Sequence, residues 1–85
     1  MEKQKVTVRV AGKEYTLGSS DSPEHLNRVA AYVDRQMTET SFATRLPAAN
    51  VAVLVSLNIA DELMKAHDEN ARLRRELNAL RKAED

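Results

Sequence analysis

His25 and His67 are the side chains of this chain best suited to proton transfer near neutral pH, and a histidine base would have to be one of them. Neither has an obvious second catalytic group beside it. His25 falls in the first turn of an expected helix and His67 on the flank of another, so both read as solvated surface residues. There is no cysteine, which excludes a thiol nucleophile, a thiolate zinc site and a disulfide framework. Gly12 and Gly18 are the only glycines, too few and too scattered for a phosphate-cradling loop. The acidic pairs Asp61-Glu62 and Asp68-Glu69 could suggest cation binding. Their seven-residue repeat is explained more simply by one helix face that pairs with basic residues and keeps the helix soluble. With three aromatic residues, Tyr15, Tyr32 and Phe42, the chain has little with which to line a substrate pocket. It reads as a non-enzyme with no cofactor and no metal.

Two basic groupings point to binding instead. Arg72, Arg74, Arg75, Arg81 and Lys82 invite comparison with a basic leucine zipper. In that arrangement the basic region precedes the zipper and is poor in acids, whereas here the bases interleave with Leu73, Leu77 and Leu80 and with Glu69 and Glu76. Nucleic acid is therefore not the expected partner. The other grouping is His25, Arg28, Tyr32 and Arg35, spaced i, i+3, i+7 and i+10 along one helix face. A solvated face is the plain interpretation, but tyrosine and arginine are also the residues that dominate binding energy at protein interfaces.

These groups need elements to hold them, and the elements can be read from periodicity. Val6, Val8 and Val10 alternate with Thr7 and Arg9, the period of a half-buried strand. Ala11-Gly12-Lys13 supplies a turn, and Tyr15 and Leu17 then continue the same apolar face, so residues 5–18 read as a β-hairpin. A two-stranded hairpin is marginal alone and needs a cover. Asp21 or Ser22 as cap, Pro23 in the first turn and Glu24 three residues after Asp21 mark a helix start. Leu26, Val29, Ala30, Val33 and Met37 then form one apolar stripe, so a helix over 22–38 is the expected lid. Residues 39–47 have no sustained period and read as a loop, with Phe42 and Leu46 pinned back to the core.

From Ala48 to about Ala83 there is neither glycine nor proline, which predicts one helix of roughly 36 residues, or about 54 Å. Its first part, residues 51–60, is apolar nearly all round, the pattern of burial on several sides. Its later part is charged except for a narrow seam. With Leu77 at heptad position a, Asn70 and Leu63 are also a residues, and Leu80, Leu73, Ala66, Ile59 and Ala52 are d residues. Glu69 and Glu76 at g would meet the partner's Arg74 and the partner's Arg81 at e in a parallel pair, whereas an antiparallel pair would set like charges together. A lone Asn70 among leucines favours two strands in register.

The expectation is an α+β protein. A globular head over 1–60 holds the hairpin, the helix, the loop and the start of the long helix, and a coiled-coil tail continues that helix over 61–85. The expected dimer interface is Ala52, Ile59, Leu63, Asn70, Leu73, Leu77 and Leu80. A chain of 85 residues buries a small fraction of its surface by itself, which points the same way. Thirteen basic and thirteen acidic residues cancel and are evenly spread, so bulk charge directs the protein neither to nucleic acid nor to anionic lipid. No apolar run approaches the roughly 20 residues of a membrane span, and the start does not read as a signal peptide, so a cytoplasmic protein without membrane insertion is expected.

The hairpin Val6-Thr-Val-Arg-Val-Ala-Gly-Lys-Glu-Tyr-Thr-Leu17, the helix with Leu26, Val29-Ala30 and Val33-Asp34, and the run Ala52-Val-Leu-Val-Ser-Leu-Asn-Ile-Ala-Asp-Glu-Leu63 with its coiled-coil tail together resemble the bacterial cell-division ZapA family. The resemblance spans nearly the whole chain, and 57–63 is its most specific piece. It implies a non-enzymatic protein that binds the tubulin-like GTPase FtsZ at midcell and cross-links its filaments. It also implies homodimers, which join into tetramers where tails are long. Filament recognition on charged head residues maps onto Lys13, Arg28 and Arg35, with Tyr32 on the same face as the arginines. The alternative is a generic dimeric coiled-coil adaptor with another partner.

Overall fold

The computed structural model describes residues 3–84. Met1, Glu2 and Asp85, which the expected head and tail included, lie outside the described residues. Strand β1 (Gln4–Val10) pairs antiparallel with β2 (Lys13–Ser19), followed by helices α1 (Pro23–Thr44) and α2 (Ala48–Glu84). The α+β class and the order of elements are those expected.

Each boundary has a local cause. Ala11 and Gly12 connect the strands with φ of 52° and 79°, the two positive values of the primed two-residue turn that matches strand twist. Lys13 is not part of this turn, because it already pairs with Val10 as the first residue of β2. On the outer face of the hairpin, Thr7 and Thr16 hydroxyls lie 3.2 Å apart and Arg9 sits 3.9 Å from Glu14. The helix cap is Ser22, whose Oγ accepts from the His25 N–H at 3.1 Å, with Pro23 in the first turn. Asp21 instead turns back, its N–H donating to Ser19 Oγ at 3.0 Å.

The expected loop over 39–47 is corrected to a three-residue connection, because α1 runs on to Thr44. The segment lacks a sustained apolar period, and threonine hydroxyls in a helix can compete for backbone groups. Here Thr38 Oγ1 donates to the Asp34 carbonyl at 3.0 Å and Thr44 Oγ1 to the Thr40 carbonyl at 2.8 Å, which leaves the helix ladder intact. Termination falls to Arg45, left-handed at φ 55°, whose N–H bonds Ser41 O at 2.9 Å. Pro47 then opens α2, its carbonyl accepting from Asn50 and Val51 N–H groups.

The core of the head is small. Val6, Val8 and Ala30 are buried together, with Val10 and Leu26 packed against them. Val51 and Val55, each 2% exposed, are the deepest side chains. The chain divides into two compact units between Val55 and Ser56. The second unit is helix alone and has no buried residue among those described.

Candidate functional site: uncovered faces of the head and of the long helix

The hairpin presents one apolar face, of which half is covered. Val6 stands directly opposite Leu17, and Val8 opposite Tyr15, so all four side chains share that face. Yet Val6 and Val8 are 7% and 4% exposed, while Leu17 and Tyr15 are 42% and 48% exposed. The reason is that α1 packs over β1, through Leu26 and Ala30. The stripe α1 uses is Leu26, Ala30, Val33 and Met37; Val29, expected on it, is about half exposed. Phe42 was expected to pin a loop to the core. It instead stands out in solvent at the rim of an open apolar groove of about 300 Å³, lined also by Met37, Ala48 and Val51.

On α2 the residues of the expected seam are Ala52 and Ile59, both half-buried, then Leu63, Asn70, Leu73, Leu77 and Leu80, all exposed. A second apolar row, Val53, Leu57 and Met64, is also exposed. Its i, i+4, i+11 spacing is readable in the sequence, but a seam sought only at heptad positions a and d passes it by. Several charged residues of the tail pair within the helix. Arg72 bonds Glu69 on one side and Glu76 Oε1 at 2.5 Å on the other, which holds the guanidinium pKa above its ordinary value. Arg74 Nε donates to Asn70 Oδ1 at 3.2 Å. Lys65 lies 2.8 Å from Asp61, whose hydrogen bond and charge raise the ammonium pKa. Within a single chain the g-position glutamates therefore have a partner at position c, Arg72, in place of the cross-chain arginines expected for them.

The head residues expected to meet a partner fall in two places. Lys13 is exposed at the start of β2. Arg28, Tyr32 and Arg35 are brought together on α1, where with Ala31 they line a shallow surface groove. Lys13 does not line it. His25 and His67 are both exposed. Sequence reading missed the role of Asp34, which accepts a hydrogen bond from the turn at Ala11. No group of three or more metal-ligating side chains lies together among the described residues, and no single helix is long and apolar enough to cross a membrane.

A small hairpin-and-helix head with half its apolar face open, joined to a long helix with open leucines, is the plan of a protein that works by associating with other chains. The family model for cell division protein ZapA matches residues 6–85. The chain is 41% identical over 98% of its length to cell division protein ZapA of Geobacillus thermodenitrificans, covering 92% of that relative. It is 42% identical over 88% of its length to that of Geobacillus kaustophilus, covering 84% of it. Among solved structures, a ZapA mutant dimer from Geobacillus stearothermophilus matches with a TM-score of 0.76 and 39% identity over 92% of both chains. The chain belongs to the ZapA family of cell division proteins.

Proposed function

We propose that the protein is a non-enzymatic homodimer that binds FtsZ filaments at midcell and bundles and stabilises them. Membership of a cell-division family over residues 6–85 is the observation that carries this reading. Self-association is supported by the surface the chain leaves open. Its accessible area is 7249 Å², whereas a compact monomer of 9.5 kDa exposes roughly 5,000 Å². The excess is well above the roughly 800 Å² that one partner contributes to a standard interface and falls in the range of large obligate ones. The solved relative that the chain resembles is itself a dimer.

In this reading the seam from Ala52 through Ile59, Leu63, Asn70, Leu73 and Leu77 to Leu80 joins two chains, and the head residues Lys13, Arg28, Tyr32 and Arg35 meet the filament. A two-fold dimer duplicates each patch, so one weak site per chain becomes two per particle. Once the first site has engaged, the second attachment gains from effective concentration, or captures a neighbouring filament. Association of two dimers into a tetramer would add two more sites. The protein acts in the cytoplasm, where it would reach the filament directly. Co-sedimentation with polymerised FtsZ tests the reading: the protein pellets with filaments and remains in solution without them. Absence from the filament pellet would overturn it in favour of an adaptor with another partner.

A further inference from the structure

Among the described elements, the backbone of β2 runs close to β1 alone. Every residue of β2 except Ser19 is exposed, whereas β1 holds two buried valines and has α1 packed along it. The register fixes which backbone groups are left over. Val10 and Lys13 close the two-residue turn as a hydrogen-bonded pair, so Val8 with Tyr15 and Val6 with Leu17 also exchange backbone bonds. The N–H and C=O groups of Glu14, Thr16 and Gly18 therefore point away from β1, and among the described residues no partner takes them. The usual guards of a sheet edge are missing here: β2 has seven residues, no proline and no bulge, and its one lysine stands at the first position. Gly18 has no explanation inside the chain. Its φ is not positive and nothing lies within 4 Å of where its Cβ would be, so neither strain nor crowding calls for glycine. A glycine inside a strand also marks a place where another backbone approaches closely.

We propose that β2 pairs antiparallel with β2 of a second copy of the chain about a two-fold axis at Thr16, joining two hairpins into one four-stranded sheet. This is the one antiparallel two-fold register in which all the outward residues pair: Thr16 with the partner's Thr16, and Glu14 with the partner's Gly18, each pair exchanging two backbone bonds. It brings no like charges together, since Glu14 lies over a glycine and Lys13 over the partner's Ser19. Moving the axis to Glu14 would instead set two glutamates face to face. On the opposite face Tyr15 falls beside the partner's Leu17, in a non-hydrogen-bonded pair where side chains stand closest. The open halves of the two hairpins thus become one apolar strip that runs on from Val6 and Val8 across the axis.

The inference rests on the homodimer of the proposed function and adds to its α2 seam an interface in the head. Because the chain has no cysteine, single cysteines report the pairing directly. A hydrogen-bonded pair across a sheet holds its Cα atoms about 5.5 Å apart, inside the roughly 7 Å limit of a disulfide. The two copies of position 14 would stand four residues apart along the strands, or about 13 Å. On mild oxidation Thr16→Cys should therefore link to itself at least tenfold faster than Glu14→Cys does. Glu14→Cys and Gly18→Cys should link to each other faster than either links to itself. Circular dichroism of the reduced variants should match the wild-type protein, since all three positions are exposed. Failure of either comparison, in protein that sedimentation velocity shows to be dimeric, would overturn this inference alone. A wild-type protein that sediments as a monomer would overturn it together with the homodimer reading.

Discussion

Asp34, midway along α1, accepts a hydrogen bond at 2.7 Å from the backbone N–H of Ala11, at the tip of the hairpin 23 residues earlier. Ala11 needs this support more than most turn residues would. It holds φ at 52° with a Cβ in place, a conformation that glycine or asparagine adopts more cheaply. The half-buried carboxylate thus satisfies an amide that a two-residue turn leaves pointing outward, and ties the turn to the helix that covers β1.

Replacing Asp34 by Ala removes a charge-assisted acceptor and leaves the Ala11 N–H to water. A loss of about 1–2 kcal/mol of stability is expected, toward the lower part of the range for such bonds because the site is only half-buried. Ala11→Asn should act in the opposite direction by about 0.5 kcal/mol, since Asn-Gly is the preferred pair for a turn with two positive φ values. Thermal melts at one fixed protein concentration report both, and an unchanged midpoint for Asp34→Ala would mean that the tie carries no net stability.

Leu17 tests whether the open half of the hairpin is covered by a second chain. In the isolated chain Leu17 is 42% exposed, so Leu17→Asp should cost little if nothing else packs there. If a partner buries it, the variant places an unpaired charge in an interface, which costs several kcal/mol. Sedimentation equilibrium should show the variant dissociating at concentrations where the wild-type protein remains associated. Identical curves would assign dimerisation to α2 alone.

Asn70 is the polar a residue between Leu63 and Leu77, and in the single chain it accepts a hydrogen bond from Arg74. Asn70→Leu should raise the melting midpoint of the assembled protein, since an apolar a residue packs more tightly. It should also broaden the distribution of oligomers, because a polar a residue is what restricts register and strand number. Native mass spectrometry together with melts reads both effects, and no change in either would place Asn70 off the seam.

Lys65 gives a pH dependence of known sign. Its pKa is raised in the folded helix by Asp61, so the pair's contribution is fully present below the ordinary lysine value of 10.5 and is lost as pH rises through the higher folded value. Helicity of the tail should therefore not change through this pair between pH 7 and 9, and should fall above pH 10.5 more steeply in the wild-type protein than in Lys65→Gln. Circular dichroism during an alkaline titration distinguishes the two.

Periodicity made most of the fold legible, and the misreadings have physical causes. Strand alternation at Val6, Val8 and Val10 and the Ser22-Pro23 start gave β1 and α1 directly. The end of α1 is not legible because residues 39–47 carry no sustained apolar period, while Thr38 and Thr44 fit the helix by back-bonding to a carbonyl one turn earlier. Tyr15 and Leu17 were rightly placed on the valine face, but strand period carries no information on how far a single helix reaches across a sheet. The grouping of Arg28, Tyr32 and Arg35 follows from helical spacing and was visible in advance. The tie between Asp34 and Ala11 was not, since it depends on where two elements meet and not on the period of either.

Bundling of filaments separates the two surfaces of the proposed dimer. Charge reversal at Lys13 or Arg35 leaves the apolar seam untouched, so either variant should remain a folded dimer while attachment to an acidic filament weakens in a salt-dependent way. Leu63→Lys combined with Leu73→Lys instead puts charge into the seam and should separate or unfold the subunits. Because cross-linking needs two sites on one particle, bundling should be lost with the seam variant and reduced with the head variants, for different reasons. Electron microscopy of FtsZ filaments with each variant, alongside sedimentation velocity on the same samples, decides between them. Normal bundling by a seam variant shown to be monomeric would refute the bivalent mechanism, and normal bundling by both head variants would remove Lys13 and Arg35 from the filament contact.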